Sequence, residues 1–477
     1  MTPEILAPET PTPELQVAET LAAARRQGAA HVDERPNENH TSSAKLYRLF
    51  WRWHFYAGMI VAPIILLASV TGGLYVFIEE LRPLMYPTLF RAESAIGSGP
   101  VLSHAELAAA VEKQLPKTIV AAVTPPADET QNARVEVTGK PTQMVDPRTG
   151  KVAGSYDEKN SFFGIVLGLH RRLLLDTPGR ITVETAVSWG VILLITGVYL
   201  WWPRKTGRAS SQGAGVWFPR LRAPFTVVLR DLHTVVGFYG VTTAAIVLIT
   251  GLFFTQFFGN GYKLLQNKYG HAPASLAKAP TSGDKNGRTP ISLDEAKRIA
   301  EPLLPGNAPL RINVPKEAQE AKDGKEAKPA EAYSIARADS TSPTLRRTVF
   351  IDQYSGQVLD SYGWDDLSTL HKIRFSIYPI HVGSIYGLAT KILALLTCLA
   401  LVLLAITGVW MWWRRRPKGT WGLAPSTANI AIPRWLLGTI IVLAIVLPAF
   451  GISLVAVLLG DFAVTKLLAR REASAAA

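Results

Sequence analysis

The chain has 477 residues, with 50 Lys and Arg against 37 Asp and Glu for a net charge of +13, twelve tryptophans and one cysteine. A single cysteine excludes an internal disulfide framework, a thiolate zinc site and a cysteine-held iron–sulfur cluster. With 48% hydrophobic and only 18% charged residues, a membrane protein is a better reading than a basic nucleic-acid binder.

Residues 1–44 carry seven acids and five prolines and no apolar stretch, the composition of a disordered cytoplasmic tail and not of a signal peptide. The first span then serves as its own uncleaved anchor. Five apolar runs are long enough to cross a hydrocarbon core of about 30 Å: Phe55–Ile78, Ile181–Trp202, Val235–Phe258, Ile385–Trp413 and Trp435–Leu459. Two long polar segments, 81–165 and 259–370, follow the first and third runs and are nearly neutral, with 9 bases against 9 acids and 15 against 14. The short segments 203–225 and 414–434 each carry five bases and no acid, and Lys45, Arg48 and Arg52 precede the first span. By the positive-inside rule the basic stretches are cytoplasmic and both long segments lie outside. Orientation accounts for the charge, so nucleic acid is not an expected partner. The basic tail residues Lys466, Arg470 and Arg471 fit an outside C-terminus poorly, which makes the fifth span the least secure of the set.

The chain repeats itself. His54 precedes Thr71-Gly72 by 17 residues, and His233 precedes Thr250-Gly251 by 17. His170 precedes Thr196-Gly197 by 26 residues, and His381 precedes Thr407-Gly408 by 26. The outer segments match too. Ser103-x-x-Glu106 and Ser292-x-x-Glu295 are capping-box signatures, each opening a helix that stops at a proline 13 residues on. Asp146-Pro-Arg-Thr-Gly150 and Asp352-Gln-Tyr-Ser-Gly356 are turns between β-like runs. The second copy adds a low-complexity insert, Glu317 to Ala332, that reads as a solvated loop. The expected fold is an α-helical membrane protein of five transmembrane helices in a parallel internal duplication, with two small α+β domains outside. In order: tail 1–44, span 45–80, outer domain 81–165, interfacial helix and span 166–203, basic loop 204–225, span 226–258, outer domain 259–370, interfacial segment and span 371–413, basic loop 414–434, and fifth span with tail 435–477.

Four of nine histidines obey the repeat. His54 and His233 lie at the cytoplasmic ends of spans one and three; His170 and His381 lie just before spans two and four, at the outer face. A pseudo-two-fold axis places each pair across the bundle centre, the arrangement of a bis-histidine b-type haem site. Gly58 and Gly237, one turn beyond His54 and His233, would leave room for a flat ring. Attachment would be non-covalent, since no Cys-x-x-Cys-His occurs. The alternative for each histidine is an interfacial residue that hydrogen-bonds a neighbouring helix. The Thr-Gly pairs read as packing devices, the Trp201-Trp202 and Trp412-Trp413 pairs as interface belts, and Cys398 as core. Trp51 or Trp53 could stack on a ring edge. His371, where the first copy has Asn160, is an alternative ligand or an outer-surface residue. His31, His40, His104 and His271, in tails, linkers or helix surfaces, receive no role. No Walker A, dinucleotide turn or hydrolase elbow appears.

Leu169-His170-Arg-Arg-Leu-Leu-Leu, followed by Gly179-Arg180 and by Leu194-Ile-Thr196-Gly197-Val-Tyr-Leu-Trp-Trp-Pro203, resembles the PepSY-associated transmembrane helix family. So does Ile380-His381-Val-Gly383-Ser-Ile-Tyr-Gly387 with Ile406-Thr407-Gly408-Val-Trp-Met-Trp-Trp. The outer segments, with their Asp-x-x-Thr/Ser-Gly turns, are similar to PepSY domains, and the resemblance runs over residues 45–460. It implies a multi-pass bacterial inner-membrane protein with a cytoplasmic N-terminus and two periplasmic PepSY domains. In some members it also implies two haem b groups and reduction of a ferric siderophore, with His54, His233, His170 and His381 as iron ligands. The electron donor would be a quinol or a cytoplasmic reductase. Two other functions stay open: a non-enzymatic PepSY protein that regulates or scaffolds a transporter or protease, and a haem carrier serving a periplasmic acceptor other than iron.

Overall fold

The computed structural model describes residues 38–94, 99–202, 213–318, 328–338, 341–417, 419 and 432–476. The greater part of the expected tail, both basic loops over 203–212 and 420–431, and most of the insert lie outside these residues.

Four helices among the described residues are long and apolar enough to cross a bilayer: α1 (Glu38–Val76, apolar from Ala44), α4 (Asp176–Trp201), α5 (Phe225–Leu252) and α9 (Leu388–Arg415). The protein is therefore a multi-pass membrane protein. α1 already begins at Glu38, inside the stretch expected to be tail. α1 packs against α4 and α9, and α5 packs against the same two helices, so α1 and α5 stand on one diagonal of a four-helix bundle. Its centre is apolar, filled by Val61 and Ile65 of α1, Val183, Ala186 and Val187 of α4, Ala244 and Leu248 of α5 and Leu401 of α9.

The fifth apolar run is not one helix. It forms α10 (Arg434–Val446) and α11 (Pro448–Ala476), broken at Leu447, whose φ of −116° and ψ of 81° are not helical. Pro448 is the cause, because a proline ring crowds the preceding residue out of the α region. Neither apolar half reaches the length of a spanning helix. The segment packs on the outside of α4, where the Trp189 indole donates to Ser453 Oγ at 3.0 Å and stacks edge-on against Phe450.

Between α1 and the next span come α2 (His104–Gln114), strands β1 (Val120–Thr124), β2 (Ala133–Val137), β3 (Thr142–Val145) and β4 (Val152–Tyr156), and α3 (Phe162–Arg172). After α5 come α6 (Phe257–Tyr269), α7 (Leu293–Ala300), β5 (Leu310–Asn313), β6 (Tyr333–Arg337), β7 (Arg347–Ile351), β8 (Val358–Gly363) and α8 (Thr369–His381). The strands of the two outer segments form one eight-stranded antiparallel sheet in the order β4-β3-β2-β1-β5-β6-β7-β8. The seam is the β1–β5 pair, where Val123 faces Ile312; each lies 20 residues beyond its helix-capping serine. α2 and α7 cover one shared core that joins Leu107, Val111, Val123 and Val135 to Ala296, Ile312, Ile335 and Val349. Merging is physically favoured. Without the seam, β1 and β5 would be open edges.

Ser103 forms a complete capping box with Glu106, whereas Ser292 caps Glu295 N–H without the return bond, because Glu295 pairs with Arg298. His104 is not a surface residue: it is 4% exposed and bonds the Leu310 carbonyl of β5 at 2.8 Å, across the seam. The insert's end is also packed, with Ala330 and Ala332 buried.

Asp146 and Asp352 are structural. Asp146 accepts N–H bonds from Ser94, Arg148 and Thr149; Asp352 accepts them from Gly283, Tyr354 and Ser355. Burial alone would raise both carboxyl pKa values, but these donors outweigh it and hold both below the ordinary carboxylate value. A depressed folded-state pKa stabilises the fold fully above the unfolded value, and the stabilisation is lost as pH falls through the folded value. Asp146→Asn is therefore expected to cost about 2–3 kcal/mol at pH 7. Thermal melts should show wild type losing stability below about pH 4, with the variant already lower and flatter with pH.

Candidate functional site

The four repeat histidines meet in two pairs, one at each end of the bundle. The rings of His54 on α1 and His233 on α5 have centroids 6.4 Å apart with planes at 88°. Those of His170, in α3, and His381, in α8, are 6.1 Å apart at 54°. Seventeen helical residues separate His54 from the Thr71-Gly72 step beside His170, about 26 Å of axial rise. The apolar layer of Val61, Ile65, Leu248 and Leu401 lies in the bundle core.

Each imidazole sits in a receptor made by a Thr-Gly pair, a role that packing alone did not suggest. His54 Nδ1 is 2.9 Å from Thr196 Oγ1, and His233 Nδ1 is 2.9 Å from Thr407 Oγ1. His170 Nδ1 is 3.3 Å from Thr71 Oγ1 and 2.9 Å from the Ala68 carbonyl; His381 Nδ1 is 3.0 Å from Thr250 Oγ1 and 3.1 Å from the Val247 carbonyl. The glycine beside each threonine makes room for the ring. A Cβ added at Gly72, Gly197, Gly251 or Gly408 would lie 3.0 to 3.5 Å from the Cε1 of its histidine.

These contacts fix the tautomer. Each threonine hydroxyl donates its one proton to its own helix, at Leu67, Ile192, Ile246 or Leu403 O. Toward the imidazole it can only accept, as the Ala68 and Val247 carbonyls do. All four Nδ1 atoms therefore carry the proton and all four Nε2 atoms an open lone pair. Two such rings cannot hydrogen-bond each other through Nε2, but they can share a Lewis acid. A metal about 2.0–2.1 Å from each nitrogen would place two ring centroids about 6.3 Å apart, which matches both pairs.

Among the described residues no group of three or more His, Cys, Asp or Glu could hold a metal ion. Each pair would therefore hold a metal only together with a non-protein donor set. The wall one turn beyond His54 is open: a Cβ on Gly58 would meet only Leu193, at 3.9 Å, and one on Gly237 only Leu404, at 3.4 Å. These features suit a planar ring with two axial imidazoles.

The remaining candidates go elsewhere. His371, in the first turn of α8, is buried against Gly270 and bonded to Ser368 Oγ at 2.9 Å, and His381 takes the place opposite His170. Asn160 instead bonds Asp157. Trp51 stacks on Phe55, and Trp53 meets Phe50 edge-on. Trp201 is more than a belt residue: it stacks on Phe238 at 3.6 Å and donates to the Val216 carbonyl. Cys398 is buried beside Gly72 and Gly73. Glu184, fully buried on α4, accepts the Phe257 and Phe258 N–H groups at the start of α6 and so anchors that helix.

A family model described as PepSY-associated TM region matches residues 51–415, a stretch that contains all four paired histidines. No curated protein matches the chain.

Proposed function

The chain belongs to the PepSY-associated TM region family, and from that premise we propose that it is a di-haem b electron-transfer protein of the bacterial inner membrane that reduces a periplasmic ferric siderophore. The observation that carries this reading is the pair of imidazole couples, each with Nε2 lone pairs free and a centroid spacing suited to a shared metal. Haem iron supplies reversible one-electron chemistry at each level. His54 and His233 would hold the inner group, His170 and His381 the outer one. The threonines keep each imidazole neutral at Nε2, and the apolar layer keeps water out of the path between levels. The matched spacings, receptors and sheet halves support an internal duplication with two fused PepSY units at the periplasmic face. The basic loops then face the cytoplasm, where a quinol or a reductase delivers the electrons.

The test uses the protein in proteoliposomes, reduced and then mixed with a ferric siderophore and a ferrous-iron trap. Reoxidation with one Fe(II) released per electron, only when the siderophore reaches the sheet side, is the expected result. A reduced protein that no ferric chelate reoxidises would remove the assignment.

A further inference from the structure

The two halves agree at every histidine and threonine of the site, so the places where they disagree are informative. One such place lies at the sheet-side end of the first half. A cavity of about 360 Å³ is lined there by Arg82, Lys159, Arg171, Arg172 and Arg180 against one acid, Glu158, with Tyr75 and the apolar Phe163 and Leu167 completing the wall. In register with the histidines, the second half has Val382 for Arg171 and Phe254 for Tyr75.

The charges around this cavity are poorly balanced. Arg172 pairs with Asp176, and Arg82 pairs with Glu79 and Glu158. Arg180 bonds only the neutral carbonyls of Phe254 and Thr255. Neither Arg171 nor the Lys159 ammonium makes a hydrogen bond or ion pair among the described residues. Arg82 is 6% exposed, yet its Nε–H has no partner. A buried donor without an acceptor is costly, and guanidinium groups match carboxylate and phosphate oxygens. The cavity also adjoins the outer site. Arg171 follows His170 in sequence, and Tyr75 is one helical turn beyond Thr71, which holds the His170 ring.

We infer that this cavity is a binding site for a soluble anion rich in carboxylate or phosphate oxygens, seated on Arg171, Arg82 and Arg180 beside the outer histidine pair. The role of that anion as electron acceptor rests on the function proposed above; its binding does not. An anionic ferric chelate with free carboxylates has the required chemistry. An anionic phospholipid headgroup offers the same oxygens, so the experiment must separate the two.

Citrate is the probe, titrated calorimetrically into the full-length protein in nanodiscs of zwitterionic lipid. Arg171→Gln alters an unpaired side chain and should leave the fold intact. It is expected to weaken citrate binding at least tenfold, whereas Lys297→Gln, on α7 in the second half, leaves it unchanged. Equal affinity in wild type and Arg171→Gln, or no binding by wild type, overturns the inference. So does co-purified phosphatidylglycerol that citrate cannot displace and that Arg171→Gln releases, since the site would then belong to a lipid headgroup. Citrate binding by a protein without haem would leave the cavity standing and remove the electron-transfer reading. A haem-loaded protein that ignores citrate would do the reverse.

Discussion

Replacing His54 and His233 together by alanine should remove half of the bound haem and leave the other half spectrally unchanged. Among the described residues the two imidazoles are the only histidine pair at their level, with rings 6.4 Å apart, and the outer pair lies about 26 Å further along α1. Sites this far apart, without shared ligands, behave independently. The mirror variant, His170→Ala with His381→Ala, should keep the inner half and lose the outer one. In reduced-minus-oxidised spectra each double variant is expected to retain one b-type band of about half amplitude. Loss of both bands from either variant would mean that the pairs are not separate sites. Retention of full amplitude would mean that they are not the ligands.

The second large effect concerns a threonine. Thr196→Val keeps the shape of the side chain but removes the oxygen that accepts the His54 Nδ1 proton. The ring then loses the contact that fixes its tautomer and its orientation. Partners of this kind are worth about 10–100-fold in metal affinity, so the inner haem should be lost on dilution at about 10–100-fold higher protein concentration. Thr196→Ser should restore retention, because the hydroxyl returns. Thr71→Val should be milder at the outer site, since the Ala68 carbonyl still accepts from His170 Nδ1 at 2.9 Å. Equal losses in both valine variants would contradict the tautomer argument, because a purely steric role does not distinguish them.

The histidine pairs were legible from the sequence because gapless spacings of 17 and 26 residues recur in a chain whose spans are fixed by the bilayer. The function of the Thr-Gly steps was present in the same spacings yet read as packing. The partner of Thr71 is His170, 99 residues away, and not His54 on its own helix. Such a cross-connection depends on helix packing, which periodicity does not encode. The fused sheet was hidden for a related reason. Alternating burial marks β1 and β5 as strands but does not say that their free edges meet at Val123 and Ile312. The break at Leu447 was available in principle from Pro448, but the unbroken apolar run concealed it. The basic cavity escaped notice because its bases are scattered along the chain: Arg82 and Lys159 fall in a segment that balances in sum, 9 bases against 9 acids in 81–165, and Arg171 and Arg180 lie beyond it. Arg82, on the short helix Ile78–Met85 after α1, meets Arg171 of α3 and Arg180 of α4 only in the folded protein.

The most direct measurement is the haem content of the purified full-length protein, taken from its reduced-minus-oxidised absorption spectrum and a pyridine haemochrome assay. Two bis-imidazole sites predict two non-covalent haem b groups per chain, low-spin in both redox states. A colourless protein that takes up no haem when it is supplied would contradict the account at its centre.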